Sequence, residues 1–418
     1  MHAKRSIMSL RPVAATVLSL GVLASGHAVG GEDTTPLSLS LSHEIMRDSN
    51  FSKNENGRSE TVNTTSVQLG LNKAYGRQNY GMNARVNANR YSNNDQLNND
   101  GKKVDASLSS ELLSNWVVRV NGLYDESLNQ IQNNDAGSRL VKNLRKYRDG
   151  GVTLQYGNGG TWALVGSYDA NNVNYEAQPL NDAKQHTNGL KLVYYSSDVL
   201  NFGLGGRRVS TKYVNRNELV QTDKNVDFSV SWRATGLSSL EAVLTRRATD
   251  YSDPQYTSST GWGGQLGWDY KPAGLMSYGL NMSRSIGSDR QSTNFVFAST
   301  PVVSIADTIV TAVTADARLQ ATAKLLFTTS YTLTQYKQDN AYTGLDNSQK
   351  SSSLGRSFSV GGSYQVLRSL KGACSYTKYS QTKQESRNLF GDSYVIRPQY
   401  DGHAFSCNAN FTLDSLNF

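Results

Sequence analysis

From Leu37 onward, apolar residues recur at every second position in short runs, separated by polar stretches rich in Asn, Ser, Gly and Asp. The segment beginning at Trp116 shows the pattern, with Trp116, Val118, Val120, Gly122 and Tyr124 alternating with Val117, Arg119, Asn121, Leu123 and Asp125. A strand points successive side chains to opposite faces, so this segment has one apolar face and one polar-rich face. The alternation predicts strands near 37–46, 61–73, 79–91, 104–113, 116–126, 149–156, 161–173, 185–196 and 200–212. It predicts nine more near 225–233, 239–251, 259–270, 276–287, 306–319, 323–336, 355–367, 371–384 and 401–413. Long polar connections such as 47–60, 92–103 and 127–148 alternate with tight ones such as 74–78, Ser114 with Asn115, 157–160 and 197–199. An even count of strands joined by alternating long and short connections predicts an all-β chain. The expected fold is a transmembrane antiparallel β-barrel of about 18 strands, with short periplasmic turns and long extracellular loops.

The predicted lipid face includes Leu37, Leu39 and Leu41; Val67, Leu69 and Leu71; Phe228, Val230 and Trp232; and Trp262, Leu266 and Trp268, none of them charged. Arg246 and Arg284 break the rule by falling on the outward phase, where a charge costs about 2–4 kcal/mol at mid-membrane and far less near the interfaces. The expectation for both is a bulge or a position near the rim. A propeller has a similar repeat length but packs four short strands into each blade, whereas here each repeat holds two long ones.

Composition supports the barrel. Apolar residues make up 37% of the 418, mean hydropathy is −0.51, and Tyr (23) outnumbers Phe (11). That is little apolar material to fill a core, and a soluble β-sandwich would need a second apolar surface to pack its sheets. A barrel with a wet interior needs only the outer surface, and its Tyr and Trp can form interfacial girdles.

Residues 1–28 read as a signal peptide. Lys4, Arg5 and Arg11 precede the apolar stretch 13–24, and Gly26, His27 and Ala28 follow, so cleavage is expected after Ala28. Loss of those three basic residues lowers the formal charge from +8 to +5, too mild to indicate nucleic acid. A short periplasmic segment, 29–36, would then precede a barrel spanning 37–418, leaving no room there for a plug or periplasmic domain. The expected location is the outer membrane of a Gram-negative bacterium.

Little in the chain suggests covalent chemistry. Beyond the signal the histidines are His43, His186 and His403. His43 and His403 fall near the outer ends of the first and last strands, where closure would make them neighbours on the outward face. No nucleophile and acid accompany them, and a metal needs three or four ligands. No enzymatic activity and no cofactor are expected. Cys374 and Cys407 lie roughly opposite each other in the last hairpin, either as a bridge of the kind the periplasm permits or as two small buried residues.

The lumen face offers Arg85, Arg119, Asp125, Asp169, Lys191, Arg207, Asp227, Arg233, Asp269 and Lys324 among Asn, Gln and Ser. Charged rings set selectivity in pores, although neighbouring Arg and Asp can equally well pair with each other. The loop 127–148 carries Arg139, Lys142, Arg145, Lys146 and Arg148, which either stay solvated or line the mouth with positive charge.

The stretch Leu39-Ser40-Leu41-Ser42-His43-Glu44-Ile45-Met46-Arg47-Asp48-Ser49-Asn50-Phe51 resembles the opening strand and loop of β-barrel porins linked to exopolysaccharide biosynthesis operons. Arg58-Ser59-Glu60-Thr61, Thr64-Thr65-Ser66-Val67-Gln68-Leu69-Gly70-Leu71 and Asn143-Leu144-Arg145 continue the likeness. His43 stands where that family has an aromatic residue, and the phase flips after Leu413 before the terminal Phe418. The resemblance implies a conduit or assembly partner in polysaccharide export. Its partners would be outer-membrane lipid and lipopolysaccharide, the polysaccharide itself and other export components. A general diffusion porin for small hydrophilic solutes is the alternative.

Overall fold

The computed structural model describes residues 37–413 apart from 114, 130–139, 217–218, 255–257, 290–294, 298–299, 303, 343–344 and 388–392. The expected signal peptide, the 29–36 segment and the phase flip after Leu413 lie outside the described residues. Eighteen strands form one sheet. They are β1 Leu37–Asp48, β2 Glu60–Tyr75, β3 Gln78–Tyr91, β4 Asn99–Leu112, β5 Trp116–Leu128, β6 Leu144–Tyr156, β7 Trp162–Tyr175, β8 Ala183–Ser197 and β9 Leu200–Tyr213. The rest are β10 Val220–Thr235, β11 Ser238–Tyr251, β12 Ser259–Tyr270, β13 Met276–Asp289, β14 Ser304–Gln320, β15 Leu325–Tyr342, β16 Leu345–Gln365, β17 Leu370–Gln381 and β18 Tyr400–Leu413. Each is antiparallel to its chain neighbours, and β1 also pairs with β18, from Leu39 opposite Leu413 to Asp48 opposite Ala404. The sheet therefore closes into a barrel and leaves no edge strand, the condition for a sheet to sit in lipid. Two short hairpins, Phe295–Phe297 with Thr300–Val302 and Gln384–Arg387 with Ser393–Arg397, lie in the connections.

All eighteen predicted strands are present, β12 with its predicted bounds. Most of the others run further at the end that carries the long loops. The largest departure is 345–354, expected as loop, which extends β16 and pairs with the outer end of β15. Ser, Gln and Lys dominate both faces there, so no apolar alternation marks the strand. The short connections, such as 76–77, 198–199 and 236–237, all lie at the opposite end.

The apolar phase is continuous across strands: Leu41 faces Val67, which faces Val86, and Leu71 faces Met82. The polar phase occupies the concave side, because the Tyr379 hydroxyl on β17 reaches across β18 to donate to Asp48 on β1. On the outside, at the short-turn end, Trp116 packs on Tyr156 with centroids 4.9 Å apart and Trp162 on Tyr194 at 4.5 Å, with Trp232 and Trp268 further round. Amphipathic rings at this level mark a membrane interface.

Cys374 and Cys407 face each other on β17 and β18 and are joined as a disulfide, with Cα atoms 4.1 Å apart. Their phase is that of Tyr376 and Phe405, so the bridge lies on the outer surface.

The lumen wall as candidate functional site

On the concave face, residues two apart along a strand meet their counterparts on the next strand, which brings opposite charges together. Arg207 on β9 donates to Asp227 on β10 through Nε at 2.9 Å and Nη2 at 3.3 Å, and the Thr245 hydroxyl on β11 donates to the same carboxylate at 2.6 Å. One level nearer the loop end, Arg247 Nη2 lies 2.8 Å from Asp223, which also accepts from Thr249 at 2.7 Å and from Gln221 at 3.1 Å. Arg145 pairs with Asp125 at 3.2 Å between β6 and β5. The forked contact of Arg207 holds both partners in place, and in each of the three pairs the two charges offset each other.

Other predicted lumen residues are placed differently. Arg119 donates to Gln155 at 3.3 Å. Arg85, exposed on β3, stands between Gln68 and Lys103 and has no ion pair among the described residues. Asp169 leans across Gly151 of the next strand, where a built Cβ would sit 2.2 Å from its carboxylate, so that glycine makes room for it. Lys191 lies over Gly203 in the same way. Asp269 is one residue from the short-turn end of β12, opposite Ser239. Arg233 sits at the same rim, beside the irregularity that ends the β10–β11 ladder, and donates to the Asp198 carbonyl of the turn at 2.6 Å. Lys324 is not on the wall at all: β15 begins at Leu325, and Lys324 belongs to the turn 321–324.

Three further expectations change. Of the basic residues assigned to the loop 127–148, Arg145, Lys146 and Arg148 belong to β6, which begins at Leu144; Lys146 and Arg148 face outward. Lys142 donates to the Asn98 carbonyl at 2.7 Å, and Arg139 lies outside the described residues. The histidines do not pair: His43 opposes Ala409 and bonds Thr65 at 2.9 Å, while His403 stacks on Tyr376. Arg246 and Arg284 do face outward. Arg246 lies in unbroken ladders to β10 and β12, whereas Arg284 is the last β13 residue paired to β12 and its Nε satisfies the Trp262 carbonyl at 3.1 Å.

Gln221 and Asp223 were missed because the predicted strand began at 225, although they continue the phase of Asn225 and Asp227; Arg247 and Thr249 lie within the predicted strand 239–251, but only cross-strand register sets them against Asp223. Also unforeseen is a small apolar cluster at the loop end of the lumen. Phe51 from the 49–59 loop and Leu97 from the 92–98 connection pack with the lumen-phase residues Met46, Val62 and Tyr91. These connections fold inward and narrow the mouth beside β1–β4. Lys53 of the same loop lies 2.8 Å from Asp48 and over the Tyr379 ring at 3.3 Å. Burial pushes its ammonium below the ordinary lysine range, and the Asp48 carboxylate opposes that shift. Among the described residues no three His, Cys, Asp or Glu side chains are grouped as metal ligands.

An apolar outer band, a Trp and Tyr girdle and a polar, charge-paired interior within a closed eighteen-stranded sheet define a membrane-spanning barrel of the outer-membrane type. No protein-family model matches the chain. No curated protein matches it. Among solved structures it is similar to OccAB3 of Acinetobacter baumannii, at 12% identity over 90% of this chain and 98% of that one, with a TM-score of 0.46. It is similar to OprD of Pseudomonas aeruginosa at 12% identity over 91% and 95%, with a TM-score of 0.42. A ferric enterobactin receptor of Pseudomonas aeruginosa matches at 9% identity over 92% and 82%, with a TM-score of 0.47. At these scores the likenesses bear on no question of substrate.

Proposed function

We propose that the protein is an outer-membrane porin, an aqueous channel through which small hydrophilic solutes diffuse, with its long loops outside the cell and its short turns in the periplasm. The observation that carries this reading is the lumen wall. Opposite charges meet there as Arg207–Asp227, Arg247–Asp223 and Arg145–Asp125, and the rest of the wall mixes further charges of both signs, among them Arg85, Asp169, Lys191 and Asp269, with Asn, Gln, Ser and Thr. Such a wall replaces lost hydration without holding any one ion tightly, as passage requires. Eighteen strands about 4.8 Å apart and tilted about 40° enclose roughly 35 Å between opposite backbones, and side chains and inward loops narrow that bore. The purified barrel in a planar bilayer is expected to give stepwise conductance, and liposomes carrying it to swell in small sugars. A chain that inserts and shows neither overturns the proposal.

Passage or assembly of a secreted polysaccharide is the second reading. It is supported by the likeness of 39–51 to barrels of exopolysaccharide operons and by a wall of amides and hydroxyls suited to hydrated sugar. Deletion of the gene separates the two. Normal extracellular polysaccharide with slower solute uptake supports the porin; the reverse supports export.

A further inference from the structure

The outward face of β9–β13 carries a group of cations that neither pore nor fold explains. Arg208 on β9 stands directly opposite Lys224 on β10, on the same side as Leu204 and Phe228. Arg246 on β11 faces Val226, one step along from Lys224, and stacks on Trp262 of β12 with its guanidinium 5.2 Å from the ring. Arg284 on β13 comes next, two positions from Met282. All four side chains are exposed. Asp250 pairs with Lys224 at 3.0 Å, and Arg208, Arg246 and Arg284 have no carboxylate partner among the described residues. Like charges directly opposite each other destabilise a sheet, and charges on a lipid-facing wall cost more, so the patch calls for an external anion.

Its position indicates which anion. On the side toward the short turns lie Leu204, Val226, Phe228, Leu244, Leu266 and Met282, an unbroken apolar surface. At the far end of the same strands the outward wall ends in Leu200, Trp232, Leu240, Trp268 and Tyr278, without charge. The cations thus border the apolar band on the loop side only. A ligand that lays acyl chains along that band and places phosphate at its upper edge satisfies both surfaces, and guanidinium groups match phosphate in a fork geometry.

We infer that Arg208, Lys224, Arg246 and Arg284 form a binding site for the phosphorylated glycolipid of the outer leaflet, with its phosphates bridging the four cations and its acyl chains on β9–β13. This rests on the outer-membrane orientation proposed above. Detergent-solubilised full-chain barrel would be titrated with bis-phosphorylated lipid A, with lipid A stripped of both phosphates, and with phosphatidylglycerol. Preference for the first over each of the others by about tenfold or more is expected, as forked charge-assisted contacts warrant. The variant combining Arg208→Gln, Lys224→Gln, Arg246→Gln and Arg284→Gln should lose that preference while still migrating as a folded barrel before boiling. Equal binding of stripped lipid A, or an unchanged preference in the variant, overturns the site; equal binding of phosphatidylglycerol overturns the choice of a glycolipid. If the variant does not fold, the wild-type ligand comparison decides alone, and the charge-keeping Arg208→Lys, Arg246→Lys and Arg284→Lys variant should retain the preference. A conducting barrel with no preference sinks this inference alone, whereas phosphate-selective binding by a non-conducting barrel sinks only the porin.

Discussion

Asp227 receives three hydrogen bonds, two from Arg207 and one from Thr245, and the pair is open to lumen water, with 29% of the Arg207 side chain and 19% of the Asp227 side chain exposed. Water at that exposure screens the pair, so breaking it costs about 1 kcal/mol or less of stability. In the channel proposed above, the larger effect falls on permeating ions, because removing one partner leaves the other's full charge on the wall. Arg207→Ser is expected to shift the channel toward cations and Asp227→Asn toward anions, read as opposite changes in reversal potential under a salt gradient. Reversal potentials that do not move apart would show that ions pass clear of this wall. Salt should shrink both shifts, since the Debye length falls from about 10 Å at 0.1 M to about 3 Å at 1 M.

At the scale of the element, the short turns are the most constrained parts of the chain. Gly157 opens the turn between β6 and β7 with φ of +95°, and a Cβ built there would sit 2.1 Å from the Trp162 carbonyl oxygen. Both the left-handed backbone and the close approach exclude a side chain, so Gly157→Ala is expected to cost about 1–3 kcal/mol. The check is a lower urea midpoint for the folded, heat-modifiable form; an unchanged midpoint would mean that the turn relaxes freely. Such turns were readable from Gly-Asn-Gly-Gly spacing, and the strands from period-2 apolar runs that lipid imposes on one face. The loop-side ends were not, because beyond the membrane both faces meet water and 345–354 carries no alternation. The lumen candidates were found by phase alone. Their partners required cross-strand register, which is why Asp223 with Arg247 was missed and why Lys324, a residue outside the strand, was misplaced.

At the scale of the whole molecule, the alternation of connections gives the barrel a direction. A tag inserted within the connection 129–143 should label on intact cells, and one at Ser114 and Asn115 only after the outer membrane is opened; the opposite result would invert the assignment. The seam between β1 and β18 has a consequence for biogenesis. It joins residues as distant in the chain as Ser40 and Thr412, whose hydroxyls are 3.0 Å apart, and its loop end is tied by the Ser49 amide to the His403 carbonyl at 2.9 Å. Until that last pairing forms, β1 and β18 present rows of unmet amides and carbonyls that hydrocarbon cannot solvate, so a half-built sheet has no resting place in the bilayer. The slow step of assembly is then a search between the two extremes of the chain. Because the entropy of closing a loop grows only with the logarithm of its length, that search is scarcely harder for eighteen strands than for sixteen. Barrel girth can therefore change by whole hairpins at little kinetic cost, provided the first and last strands still recognise each other.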